Sequence, residues 1–475
     1  MRRPFLLTLF ALFALPLSGA PSLAATPTAT GTAGAAANLS PPQFAVTHHS
    51  LRVGGATIRF TARAGSLTLR NAKHQPTARM FFVAFTQDGV NDESSRPLTF
   101  LYNGGPGSAS LFLELGAFGP RRVVTANAEA SAAAPYKLVA NDQSLLDKSD
   151  LVFIDAPGTG FSRLVGKGKP KDFYGVDQDA KAFAQFIRRY LDKYKRWNSP
   201  KFLLGESYGT TRSAALAEVL QQRGIALNGV ILLSSILNFQ TASFAPGNDL
   251  PYVLYLPSYA AVAWYHKALP TQPKQLKPFL AQVEQFATGE YADALAAGSK
   301  LNAKTRADVI QKLHQYTGLP ATYWDEANLR VNNGQFEKEL LRNRKQVTGR
   351  LDARFSGWSV DLLGEYQNWD PTTSAILPVF TAAFHHYLAN YLDYTPKRAY
   401  KTLNLAVTRV WKWRHHSLET GGQSWPGFTN VSPDLAMAMT QNNRLQVMVN
   451  SGYFDLGTPF FATDYTFDHL FNPVA

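Results

Sequence analysis

The sequence predicts an α/β fold: a mostly parallel sheet with helices on both faces, an antiparallel N-terminal edge and a helical cap inserted late in the chain. Three observations lead there. Five compact apolar runs, at 98–102, 151–154, 202–204, 230–233 and 445–449, show no polar alternation, which is how strands read when helices cover both faces of a sheet. Helical patterns at 178–194 and 211–222 lie between them, so strand and helix alternate. From 240 to 430 the rhythm changes to helical stretches rich in aromatics, with Pro and Gly breaks and no buried-strand runs.

Taken in order, residues 1–24 carry signal-peptide grammar: Met1-Arg2-Arg3, an apolar run over 5–17, and the small-residue exit Ser22-Leu23-Ala24. The run is too short to span a bilayer. Residues 25–45 are mostly Ala, Thr, Gly, Ser and Pro, a composition that cannot offset its ordering entropy by burial, so they form a flexible leader. The core's first part spans 46–239 and opens with four short strands, at 51–53, 57–62, 67–69 and 80–86. The cap spans 240–430, and 431–475 supplies a return strand and a helix.

The whole chain has 475 residues and no cysteine, so the fold rests on its core alone and thiolate metal sites are excluded. No metal and no cofactor are expected. The net charge of +13 is spread over helical stretches, which describes a solvated basic surface rather than a nucleic-acid interface. No segment approaches the roughly 18 uninterrupted apolar residues of a membrane helix, so an exported protein without a membrane anchor, periplasmic or extracellular, is expected.

Chemistry concentrates in three motifs. Gly205-Glu206-Ser207-Tyr208-Gly209 follows a buried strand and precedes a helix, the setting in which a sharp turn presents a serine hydroxyl as a nucleophile. Asn103-Gly104-Gly105-Pro106-Gly107-Ser108 follows another strand; its glycines let backbone N–H groups approach a carbonyl, so Gly105 and Tyr208 are the candidate oxyanion donors. Asp155 through Ser162 ends a third strand and is expected to shape the pocket wall, with no catalytic role for Asp155. Asp455, ending the late strand, fits the serine, acid, histidine order of a nucleophile-elbow enzyme.

Together with Val447 through Asp455, these motifs resemble the serine carboxypeptidase family of α/β hydrolases, in its cysteine-free bacterial form, over most of the chain from Thr47 onward. The resemblance implies Ser207 as nucleophile, Asp455 as triad acid, and Asn103, Glu206 and Glu114 as holders of the substrate's free carboxylate. Glutamates beside one another and beside that carboxylate should hold protons, which favours acidic pH. Peptide or protein C-termini are the implied substrates.

The family places its catalytic histidine beyond a further helix and strand after the acid. Here only His469 follows Asp455, on a predicted helix. His385-His386 and His415-His416 precede Asp455 and read as solvated or packing residues. The expectation is a chain shortened relative to the family, lacking the last strand and the base, and poorly soluble. An esterase or acyltransferase on the same scaffold, or a non-catalytic binder of peptide C-termini, are the alternatives.

Overall fold

A computed structural model describes residues 42–417 and 427–470. The predicted signal peptide, most of the predicted leader, positions 418–426 of the predicted cap and the last five residues lie outside the described residues.

The main sheet contains β1 (Phe44–Val53), β2 (Ala56–Arg70), β3 (Pro76–Gln87), β4 (Leu98–Tyr102), β5 (Asp150–Ile154), β6 (Lys201–Glu206), β7 (Gly229–Leu233) and β8 (Gln446–Asn450). Their order is β1-β2-β3-β5-β4-β6-β7-β8, with a two-residue strand, Arg163–Leu164, added along β3. Strands β1, β2 and β3 pair antiparallel, and β3 meets β5 antiparallel. The remaining neighbours are parallel.

The four short strands expected at the start are three long ones. β2 runs straight through Gly65, which pairs with Phe44 of β1. A Cβ at Gly65 would meet the Phe44 ring at 2.2 Å, so the aromatic ring covers the bare position and the glycine does not interrupt the strand. Phe44 and Ala45, assigned to the leader by composition, already belong to β1.

The helices that matter for the site are α1 (Val176–Tyr194), α2 (Tyr208–Gln222), α3 (Leu250–Tyr265), α4 (Pro371–Asn390), α5 (Ser432–Gln441) and α6 (Phe460–Asp468). α1 is strongly amphipathic, and its buried stripe (Ala180, Phe183, Ile187, Leu191) packs with Phe82 and Phe100 on one face of the sheet. The other face meets Leu111, Leu115 and, from α4, Val379, Phe380 and Phe384. A separate core surrounds α3. The first part of the 240–430 segment packs around α3 in a core that also takes Tyr208 from α2 and Leu456 and Phe460 from the C-terminal part, and α4 returns to cover the sheet. Pro257 and Pro378 lie inside α3 and α4 rather than ending them, because burial of these helices outweighs the local backbone defect. A small ribbon, Gln346–Thr348 with Ser356–Trp358, was not visible in the sequence pattern.

Candidate active site

The carboxyl ends of β4, β6, β7 and β8 open onto one pocket, where sheets of this type place their chemistry. β6 ends at Glu206 and α2 begins at Tyr208, leaving Ser207 as a one-residue corner at φ 56°, ψ −128°. A non-glycine residue at positive φ is strained. The corner is held by the Ser207 N–H donating to the Leu233 carbonyl (3.0 Å) and by the Thr210 N–H donating to the Ser207 carbonyl (2.8 Å). Its tightness dictates its glycines, since a Cβ at Gly205 would stand 2.2 Å from the Gly209 carbonyl oxygen. Ser207 is half-buried and lines the pocket.

The glycine-rich bend lies directly on this corner. A Cβ at Gly104 would meet the Tyr208 nitrogen at 2.4 Å, and Gly105, at φ 104°, lines the pocket beside Ser207 and Tyr208. Asn103 is buried; its Nδ2 donates to Glu206 Oε2 (2.8 Å), and its Oδ1 accepts from the Leu113 N–H (3.1 Å). Burial pushes the Glu206 carboxyl above its ordinary range against the bond from Asn103, and the Asp455 charge adds to the rise.

Asp455 lines the same pocket. Its Oδ1 accepts the N–H groups of Gly457 (2.8 Å) and Thr458 (3.0 Å), and its Oδ2 accepts the Thr458 hydroxyl (2.8 Å). Burial raises its pKa despite these bonds and one from Ser234. Asp455 thus organises its own turn while facing Ser207's cavity.

Glu114 stands apart from this group. It is buried beside Asp155 and Tyr387, does not line the pocket, and its pKa is raised by burial and then by the Asp155 charge. Its connection to the site is indirect, through the neighbouring Leu113 N–H on Asn103. Asp155 accepts from the Ser110 N–H (2.9 Å) and the Tyr400 hydroxyl (3.2 Å), behind the bend rather than in the cavity.

None of the ten histidines lines the pocket. His469 lies at the end of α6, exposed and stacked on Tyr465, its Nδ1 2.7 Å from the Tyr465 carbonyl. His415 is neither solvated nor simply packed: it is buried between Asp177 and Asp434. The pocket also takes residues that the sequence did not single out: Ser234 after β7, Arg350 and Leu351 from the segment before α4, and Thr408 and Trp413. The position of Ser234 after a buried run was a usable signal; nothing in the local pattern marked the others. The pocket is small, about 90 Å³. A larger cavity, about 530 Å³, lies away from it between Asp249, Arg306 and Arg330. Its arginines are already paired, with Asp249 and Asp325.

The sequence pattern of the serine carboxypeptidase family matches residues 55–474. This chain belongs to the serine carboxypeptidase family. It is similar to the pheromone-processing carboxypeptidase KEX1 of Saccharomyces cerevisiae, 36% identical over 156 residues, covering 30% of this chain and 20% of that protein. Serine carboxypeptidase-like 45 of Arabidopsis thaliana is 28% identical over 213 residues, covering 41% and 42% of the two chains. The aligned part therefore spans about a fifth of the yeast protein and less than half of the plant one. The crystal structure of the yeast prohormone-processing carboxypeptidase Kex1(delta)p superposes with a TM-score of 0.53 at 18% identity, over 87% of this chain and 77% of that one. That likeness shows the α/β-hydrolase fold of this serine carboxypeptidase family member.

Proposed function

We propose that this protein binds the C-terminal ends of peptides and is built to cleave their last peptide bond through an acyl-enzyme on Ser207. The observation that carries the reading is the convergence, in one cavity, of the strained Ser207 corner, the Gly105 bend, Asp455 and Glu206, the last tied to Asn103. Ser207 Oγ attacks the scissile carbonyl carbon, and the resulting oxyanion lies against the N–H groups of Gly105 and Tyr208. Collapse expels the C-terminal amine with a proton, and water then releases the peptide acid and restores the hydroxyl. Asn103 and a protonated Glu206 donate to the free carboxylate of the substrate. Glu114 supports Asn103 from behind. Residues 1–24 would direct export.

The proton that leaves Ser207 needs an acceptor, and no histidine lines the cavity. A triad site without its base keeps the oxyanion and binding contributions and loses a factor on the order of 10⁴ to 10⁶. This favours a second reading, a binder of peptide C-termini with residual reactivity. A fluorophosphonate probe with mass-spectrometric mapping, paired with release of the last residue from blocked dipeptides at pH 5, separates the two. Slow labelling at Ser207 that millimolar imidazole accelerates supports the hydrolytic design. Turnover of esters without peptide cleavage would point to the esterase or acyltransferase chemistry instead, and peptide binding with no labelling would leave only the binder.

A further inference from the structure

The segment 404–416 runs along the pocket from the glycine-rich bend to the start of α1. At its beginning the Asn404 N–H donates to the Gly107 carbonyl (2.8 Å) and the Thr408 hydroxyl to the Pro106 carbonyl (2.5 Å). In its middle, Trp411 and Trp413 pack edge-on against the Tyr208 ring at 5.3 and 5.9 Å, and Trp413 also meets Phe239 at 4.9 Å. At its end His415 is inserted between two helices. Its Nδ1 lies 2.6 Å from Asp177 in the first turn of α1, and its Nε2 lies 2.5 Å from Asp434 in the first turn of α5. A ring with a carboxylate at each nitrogen must donate from both, so it is an imidazolium. Its side chain is 8% exposed.

We propose that His415 is a positioning residue: shared by Asp177 and Asp434, it clasps the 404–416 segment to the first turns of α1 and α5. It thereby sets Trp413, which lines the substrate cavity, and Trp411 behind it against the Tyr208 ring. The proposal rests on the reading of Ser207's cavity as the peptide site. The acids that His415 joins sit where helix N-termini already favour negative charge, so the clasp ties three elements with one cation.

The groups facing His415 are Asp177 from α1, Asp434 from α5 and, hydrogen-bonded to Asp434, Glu218 from α2; His416 shares Asp177 at 2.6 Å. Burial works against the His415 charge, but the bonds to Asp177 and Asp434 outweigh it and hold its pKa up at about 9. Burial and the neighbouring Asp434 hold Glu218 up at about 8. A histidine raised in the folded state contributes stability that is complete below its unfolded pKa near 6.5 and is lost as pH rises through about 9. The clasp is therefore closed under acidic and neutral conditions and opens on the alkaline side.

Trypsin reads this directly, because Arg409, Lys412 and Arg414 lie in the segment. At pH 7.5 His415→Gln should be cut there at least tenfold faster than the parent, and His416→Gln, whose ring is half exposed, less than twofold faster. The parent's cleavage, corrected for trypsin's own pH profile on a denatured control, should rise with a midpoint near pH 9. In fluorophosphonate labelling of Ser207, His415→Gln should raise KI fivefold or more and leave kinact within twofold. A folded His415→Gln protein with parental cleavage and parental KI overturns the proposal. If that variant does not fold, a parent whose cleavage stays flat from pH 7.5 to 9.5 overturns it. A parent that never labels at Ser207 strikes the reading of the cavity, and the trypsin measurements still decide the clasp.

Discussion

Two pairs of carboxyl groups lie about the glycine-rich bend, and they differ in what surrounds them. Glu206 and Asp455 face the cavity; Glu114 and Asp155 are sealed behind the bend, 2% and 3% exposed. In all four, burial is the largest cause of a raised pKa. A perturbed carboxyl therefore does not by itself locate the chemistry. What separates the pairs is access and hydrogen bonding: Asp455 spends both oxygens on its turn, whereas Glu114 Oε1 and Asp155 Oδ2 have no hydrogen-bond partner among the described residues. The sealed pair props the bend that the open pair uses.

The largest expected effect tests the open side. Ser207→Ala should reduce fluorophosphonate labelling at this site to background, while Glu114→Gln, which leaves the cavity lining intact, should label within about threefold of the parent. On the sealed side, Gly160→Ala should be the most damaging single methyl, because its Cβ would stand 1.6 Å from Asp155 Oδ2 at a backbone φ of 48°. A loss of more than about 3 kcal/mol in urea unfolding is expected from overpacking and strain together.

The pH dependence of stability sharpens the contrast further. Asp155 is raised from 3.8 to about 6, so its contribution is complete below pH 3.8 and lost as pH rises through 6. That difference of about 2 units corresponds to at most about 3 kcal/mol. Asp155→Asn should flatten this part of the profile between pH 4 and 7, measured as urea midpoints. The smallest effect is expected for Glu206→Gln. Gln remains a donor, so affinity for a blocked dipeptide with a free carboxylate should stay within about threefold at pH 5. The weakening expected of the parent as pH rises through the elevated Glu206 pKa should be absent from the variant, as read by calorimetric titration.

Much of this arrangement could be seen in the sequence because it depends on local rules. The runs that became β4 to β7 are continuous and apolar because helices cover them, whereas β8 at the sheet's edge leaves Met448 and Val449 exposed; the Ser207 corner follows from glycines flanking a residue between strand and helix. The beginning of the sheet was harder. Gly65 looks like a break until the ring of Phe44, 21 positions earlier, is seen to cover it. The 240–430 segment was harder still, since Pro257 and Pro378 sit within helices that burial sustains. Glu114 illustrates the limit at the site: the family resemblance grouped it with Asn103 and Glu206, but the short helical turn that it opens directs its side chain toward Tyr387. His415 could not be read at all, because its partners are 238 and 19 positions away on two different helices.

The corner at Ser207 has one more consequence. A serine at φ 56° gives up about 1–3 kcal/mol that a residue without a Cβ would keep. Ser207→Gly should therefore melt at a higher temperature than the parent while remaining chemically silent. Such a result would mean that the molecule tolerates a weaker fold at this one position in order to keep its hydroxyl aimed outward.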